Sequence, residues 1–308
     1  MPGSVGGPPA TFNCLWCGTQ WTTRSPDDLE GWARLCPECL GRAGDNPFLR
    51  FRLRDALTAR AAAGGGGTKV EVVAAPPRGA APSPDRDAEM LAYYEARAGE
   101  YDDWYLRRGR YARGPIHDAA WDAELDGAGT WLDGLPIHGD IVELAAGTGW
   151  WSPLLASKGE LSIYDAAEAP LERARERLVA HRLRAHIHVR DAWAEPDRQV
   201  DALVCGFWLS HVPRDRTRAF LALARRWLKP DGIFAFIDSL PDPQSGASDG
   251  APPDGDLAVR RLADGREFTI VKVYREPAEL EEALREAGFQ AARVTTTGRF
   301  FVLGEARA

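Results

Sequence analysis

Residues 139–151 read GDIVELAAGTGWW, and the fold follows from how this stretch changes character. Ile141, Val142 and Leu144 form a short apolar run that gives way to small residues and then to Gly147-Thr148-Gly149. An apolar run bounded in this way reads as a buried parallel strand breaking into a tight glycine turn that opens a helix. Glycine lets a ligand approach bare backbone, and the N–H groups opening the next helix can face it. A dinucleotide site wants G-x-G-x-x-G, but Ser152 stands where the third glycine belongs. Instead an acid, Glu143, closes the strand ahead of Ala145, Gly147 and Gly149.

Working outward, the same unit repeats. Leu161–Tyr164 is apolar and ends at Asp165, followed by an amphipathic segment, Pro170–His181. Ala185–Val189 ends in Arg190-Asp191-Ala192-Trp193, and Val200–Cys205 runs into Gly206-Phe207-Trp208. A fifth strand is predicted over Gly232–Asp238, after Leu228-Lys-Pro-Asp. Strands alternating with helices predict an open α/β sheet, and each acid or glycine falls at a strand's C-terminal end, where such sheets bind ligands. An acid about 20 residues beyond the first turn suits a pair of ribose hydroxyls.

The Glu143 to Gly149 stretch resembles motif I (E/D-x-G-x-G-x-G) of the class I S-adenosylmethionine-dependent methyltransferases, with alanine for the first glycine. The resemblance covers residue 90 to the C-terminus. It implies a seven-stranded, mostly parallel Rossmann-like sheet with helices on both faces, closed by an antiparallel pair at Arg293–Thr297 and Phe300–Leu303. It implies S-adenosylmethionine (SAM) as cofactor, held by Glu143, Ala145, Gly147, Gly149, Asp165, Asp191, Ala192, Gly206 and Phe207, with Asp191 facing the adenine amino group. A nicotinamide-binding domain is the competing reading of the fold. Met90–Arg110 (MLAYYEARAGEYDDWYLRRGR) is predicted as one helix with Tyr94, Arg97, Tyr101 and Trp104 on one face. It resembles the helix that covers the cofactor in small-molecule methyltransferases. By that resemblance Tyr94, Arg97 and Tyr101 reach the cofactor's methionine end; the alternative is an aromatic packing face.

The N-terminal part is of another kind. Cys14, Cys17, Cys36 and Cys39 follow a C-x2-C-x18-C-x2-C pattern. Two such knuckles complete a tetrahedral four-sulfur site, so structural zinc is expected. A segment of about 50 residues with this little apolar material needs such a staple. Phe48–Ala62 reads as a helix with four arginines, either an RNA contact or a solvated face. The expected division is an arm at 1–10, expected to be disordered, and a zinc-ribbon-like module with its helix at 11–62. A Gly/Pro-rich linker follows at 63–87, with a short strand at Lys69–Val73, and a methyltransferase domain occupies 88–308. Within that domain 241–274 is an insertion, with Asp264-Gly265 joining two β-type runs as a hairpin, either a lid or an extension of the sheet.

The net charge of −7 is carried by the larger part, since residues 1–84 hold nine Lys/Arg against seven Asp/Glu. An acidic catalytic domain disfavours phosphate backbones as partners. With no apolar run of membrane-span length and no signal-peptide pattern at the N-terminus, a cytoplasmic location is expected. Cys205 reads as a core residue. Methyl transfer requires alignment, exclusion of water and removal of any proton released. His211, just beyond the fourth strand, is the candidate base, with His117 next; steadying the loop is the alternative for His211. The N/D-P-P-Y/F tetrad expected of base-directed amino methyltransferases is absent after that strand. The expected acceptor is therefore a small aromatic or apolar metabolite, with Phe207, Trp208 and Tyr274 as candidate pocket walls. Carbon methylation of ribosomal or transfer RNA and a non-catalytic scaffold are the alternatives. The oligomeric state is not legible.

Overall fold

In the computed structural model, residues 11–13, 19–22, 84–248, 250 and 255–308 are described. The chain divides into two compact units, residues 1–80 and 81–308. In the first, β1 (Thr11–Asn13) pairs antiparallel with β2 (Gln20–Thr22), with Thr11 opposite Thr22. Cys14, Cys17, Cys36 and Cys39, the Phe48–Ala62 helix and the Lys69–Val73 strand lie outside the described residues.

The second unit begins with α1 (Pro84–Arg97), the four-residue α2 (Asp102–Tyr105), a 3-10 turn at Gly109–Tyr111 and the long α3 (Pro115–Gly134). Here the single helix expected over Met90–Arg110 is corrected. It breaks after Arg97, two residues before Gly99. Then β3 (Gly139–Leu144), α4 (Ser152–Lys158), β4 (Gly159–Asp165), α5 (Glu168–Ala180), β5 (His186–Val189) and β6 (Val200–Gly206) alternate as the sequence predicts. They are followed by α6 (Thr217–Arg226), β7 (Leu228–Ser239), β8 (Leu257–Arg261), β9 (Glu267–Val271), α7 (Pro277–Glu286), β10 (Gln290–Thr296) and β11 (Phe301–Arg307). Pro277 at the start of α7 and Gly288 (φ +90°) just past its end mark the boundaries the sequence signals.

The large sheet has the order β10-β11-β7-β6-β3-β4-β5. Its five central and edge strands, β7 to β5, run parallel, and β11 is antiparallel to both β7 and β10. Because side chains alternate across a strand, Ile141 enters one core layer and Val142 the other. The first layer packs α3, α4 and α5 through Trp121, Leu132, Leu155 and Leu171; the second packs α6 and α7 through Phe220, Leu221, Leu280 and Leu284. Cys205 is buried in the second layer.

The β8–β9 hairpin does not extend this sheet. It forms its own two-stranded sheet and packs on α1, with Tyr93, Ala258, Leu262, Phe268 and Ile270 as a small separate core. Among the described residues no helix is long and apolar enough to cross a membrane.

Candidate functional site

Two groups of residues meet at the C-terminal edge of the parallel strands. The first comes from the strand ends themselves. After β3 the chain turns sharply: Ala146 N–H donates to Tyr164 O, and Gly149 N–H to Ala146 O. Gly149 has φ +69°, and a Cβ there would stand 2.7 Å from that of Ala174, so only glycine lets the turn sit this close to α5. Ala145, where motif I has its first glycine, also adopts positive φ (+52°). Asp165 at the end of β4 accepts from Gly147 N (2.8 Å) and Ala167 N (2.8 Å). Burial pushes its carboxyl up to about 6, with the carboxylates of Glu95 and Asp191 adding to the rise. Asp191 accepts from Trp193 N (2.8 Å), next to the buried Ala192. Glu143 lies beneath the turn, almost fully buried, accepts from Ser152 Oγ (2.5 Å) and is raised by burial to about 8.

The second group is a cover over that edge. Glu95 of α1 accepts from the Glu168 and Ala169 N–H groups (2.6 and 3.0 Å), capping α5 from outside. Asp102 takes a hydrogen bond from Thr148 Oγ1 (2.6 Å) and pairs with Arg177, whose Nε donates to Thr148 O (3.1 Å). Tyr105 stacks on Trp150 at 4.1 Å. Tyr101 approaches Gly147, and Trp104, Tyr105 and Phe207 form an edge-to-face cluster beside it. Despite the helix break, the three aligned residues stay together: Arg97 lies 4.5 Å from the Tyr101 ring centre, and Tyr94 and Tyr101 are 5.9 Å apart.

Beneath the cover is a cavity of about 480 Å³, walled by Tyr93, Tyr94, Arg97, Tyr101, Phe207 and His211, and by residues of the hairpin and of the stretch after β7. Of the expected aromatic walls, Phe207 and Tyr274 line it; Trp208 does not. What the sequence reading missed is cationic. Arg260 and Lys272, from the hairpin and its exit, also face this cavity. Lys272 is 7% exposed; its ammonium donates to Ser210 Oγ (2.8 Å) and Ser239 Oγ (3.2 Å) and lies 3.8 Å from Asp238. Burial lowers its pKa to about 8, Asp238 opposing the fall. Asp238 also accepts from the N–H groups of Ser210 and Ser239 (both 2.7 Å). Arg97 is buried among Tyr93, Tyr101 and Tyr111, with its Nε without a protein partner and no carboxylate paired with it among the described residues. A lysine inside the apolar run Phe268–Val273 was the signal for a polar strand face turned into a cavity.

His211 lines the cavity with both ring nitrogens engaged, Nδ1 to Val271 O (2.6 Å) and Nε2 to Tyr94 Oη (2.7 Å). Burial holds its pKa well below the ordinary imidazole range, and the charge of Lys272 lowers it further. Its loop is clamped by Arg275, which donates to the Leu209 and Val212 carbonyls (2.7 and 2.5 Å). His117 sits apart from the cavity, packed on Phe300.

The described geometry is that of a known family. A methyltransferase-domain family model matches residues 141–232. A solved complex of DhpI with SAM and HEP is 32% identical; the similarity covers 74% of this chain and all of that one, with a TM-score of 0.60. A DhpI–SAH complex is 33% identical over 71% of this chain and 94% of that one, with a TM-score of 0.55. The CcbJ methyltransferase of Streptomyces caelestis shares the fold at 19% identity, over 70% of this chain and 97% of that one, with a TM-score of 0.51. No curated protein matches the chain. The chain belongs to the class I SAM-dependent methyltransferases.

Proposed function

We propose that the protein transfers the methyl group of SAM to an ionised oxygen of a small organic acid, giving its methyl ester. The observation that carries this reading is the placement of Arg260 and buried Lys272 in one cavity wall, beside a histidine whose nitrogens are both taken. Burying a cation is costly unless an anion joins it; Asp238 stands 3.8 Å from Lys272, and half-buried Arg260 adds a further cation to the same wall, which favours an anionic occupant. An oxyanion already has the lone pair that attack requires, so no base is needed, and the engaged state of His211 supports a steadying role in place of the base role.

The cofactor residues fit SAM. Asp165 would take the ribose hydroxyls and Asp191 the adenine amino group beside Ala192, with Ala145, Gly147 and Gly149 offering close backbone. Arg97, a buried guanidinium with no carboxylate paired with it among the described residues, suits the methionine carboxylate; Tyr94, Tyr101 and Phe207 line the cavity beside it, and Gly206 ends β6 just before Phe207. Glu143 would act from below by steadying the turn through Ser152. When bound, the cofactor supplies a methyl group already activated on a sulfonium. The chain's own part is to align the acceptor, exclude water through the α1–α2 cover, and hold some oxygens of the acid at Arg260 and Lys272 while another remains free.

Tyr93, Tyr111 and Tyr274 leave room for an aromatic or apolar portion of the acceptor, so the cations add a charged end to the metabolite the sequence suggests. DhpI was solved with a second ligand, HEP, together with SAM, which supports a small-molecule acceptor. The acidic catalytic domain speaks against RNA. The test is a panel of small carboxylic, sulfonic and phosphorus acids beside their uncharged amides, followed by SAH release. Turnover confined to acids is expected; equal turnover of the amides would contradict the reading.

For the N-terminal unit we propose one structural zinc at Cys14, Cys17, Cys36 and Cys39. The antiparallel pairing of Thr11–Asn13 with Gln20–Thr22 flanks the first cysteine pair in sequence, as a knuckle in a hairpin turn requires. Metal analysis of anaerobically purified full-length protein should give about one zinc per chain; none would refute it.

A further inference from the structure

Tyr94 and His211 face the acceptor cavity together, and a third group sets the direction of the hydrogen bond between them. His211 Nδ1 lies 2.6 Å from the Val271 carbonyl oxygen. A carbonyl only accepts, so Nδ1 carries a proton. A second proton on the ring is opposed by its burial and by the cations nearby, Lys272, Arg260 and Arg97. Nε2 is then a bare lone pair, and Tyr94 Oη, 2.7 Å away, has to donate to it. Tyr94 thus commits its one proton to His211, and the lone pairs of its oxygen are what it can offer the cavity.

This polarity matters for what binds. A tyrosine free to donate would reward any oxyanion. With its proton withdrawn, the same oxygen meets an oxyanion lone pair to lone pair and attracts only a donor. We propose that Tyr94, oriented by His211, is a specificity-determining residue that selects acceptors carrying an O–H or N–H donor beside the anionic group. This rests on the small-acid reading of the cavity and narrows it. The charged end goes to Arg260 and Lys272; the donor end goes to Tyr94. The donor keeps its proton, since passing it through Tyr94 would create an imidazolium among three cations. His211 is a positioning residue in this arrangement.

The test uses full-length protein and matched acids that differ at one position, bearing hydroxyl, hydrogen or fluorine. Wild type is expected to favour the hydroxy acid over the hydrogen analogue by about 2–12-fold in kcat/KM, the range of one neutral hydrogen bond. Fluorine, which cannot donate, should give no gain over hydrogen. Tyr94→Phe should level the hydroxyl and hydrogen acids, both compared at saturating SAM. A hydroxyl preference that survives in Tyr94→Phe, or a fluoro acid that matches the hydroxy acid in wild type, overturns the proposal. Because the fluorine comparison needs no variant, it decides even if Tyr94→Phe does not fold. If wild type methylates acids with no hydroxyl preference, only this inference fails; if it methylates no acid, the small-acid reading fails with it.

Discussion

The strand-end edge and the covered cavity are built on opposite plans. At the edge, the polar groups sit at strand ends and bond the turns there: Asp165 bonds Gly147 of the turn after β3 and Ala167 of its own turn, and Asp191 bonds Trp193. In the cavity, Tyr94, His211, Ser239, Arg260 and Lys272 come from five separate segments and line one space beside the small core that α1 and the hairpin share. The edge is carboxylate-rich and the cavity cation-rich. A sheet supplies rigid positions by local geometry, whereas a cavity wall assembled from an insertion can change its chemistry without disturbing the sheet.

If the two regions are separable, their variants should fail differently. The largest effect is expected for Asp165→Ala, which would remove two charge-assisted hydrogen bonds to the ribose, each contributing roughly 1.5–3 kcal/mol. SAM and SAH affinity should fall together by about 10²–10⁴-fold; calorimetry showing unchanged binding of either would place the ribose elsewhere.

The cavity should show itself in pH dependence. Lys272, lowered to about 8 by burial, is charged below that value and neutral above it. For an acid acceptor, kcat/KM should hold steady between about 6 and 8, where Asp165 is ionised and Lys272 charged, and decline as pH rises through about 8, while SAH affinity does not follow that decline. A profile flat to pH 10 would mean that Lys272 does not meet the acceptor. The smallest effect tests the turn alone. Ala145 adopts φ +52°, a conformation costing an L-residue about 1 kcal/mol that glycine adopts freely. Ala145→Gly should raise the thermal midpoint by about 1–3 °C, since glycine also gives back some unfolded-state entropy. A loss of several degrees would show that the alanine methyl packs usefully.

This contrast also explains what the sequence made legible. Short apolar runs ending in Glu143, Asp165 and Asp191 reveal the sheet and its edge because strand, turn and acid are adjacent in the chain. The alternation around Asp264-Gly265 likewise reveals the hairpin. The cavity was not legible in that way. Nothing local to Lys272 says that Ser210 and Ser239 lie beside it, and nothing near His211 says that Tyr94 occupies its Nε2. Periodicity alone predicts one helix over Met90–Arg110, whereas the chain breaks between Arg97 and Asp102, around Gly99. Its aromatic face survived the break because Arg97 and Tyr101 stay in contact across it.

The division of labour is tested most directly by titrating SAH and an accepted acid separately into Lys272→Met. Methionine fills similar volume without charge, and Lys272 bonds no group of the strand-end edge apart from the Asp238 cluster. SAH affinity within about twofold of wild type is expected, with acid affinity reduced about 10–100-fold, the range for one charged hydrogen bond. Parallel loss of both ligands, or an acid affinity unchanged from wild type, would contradict the account.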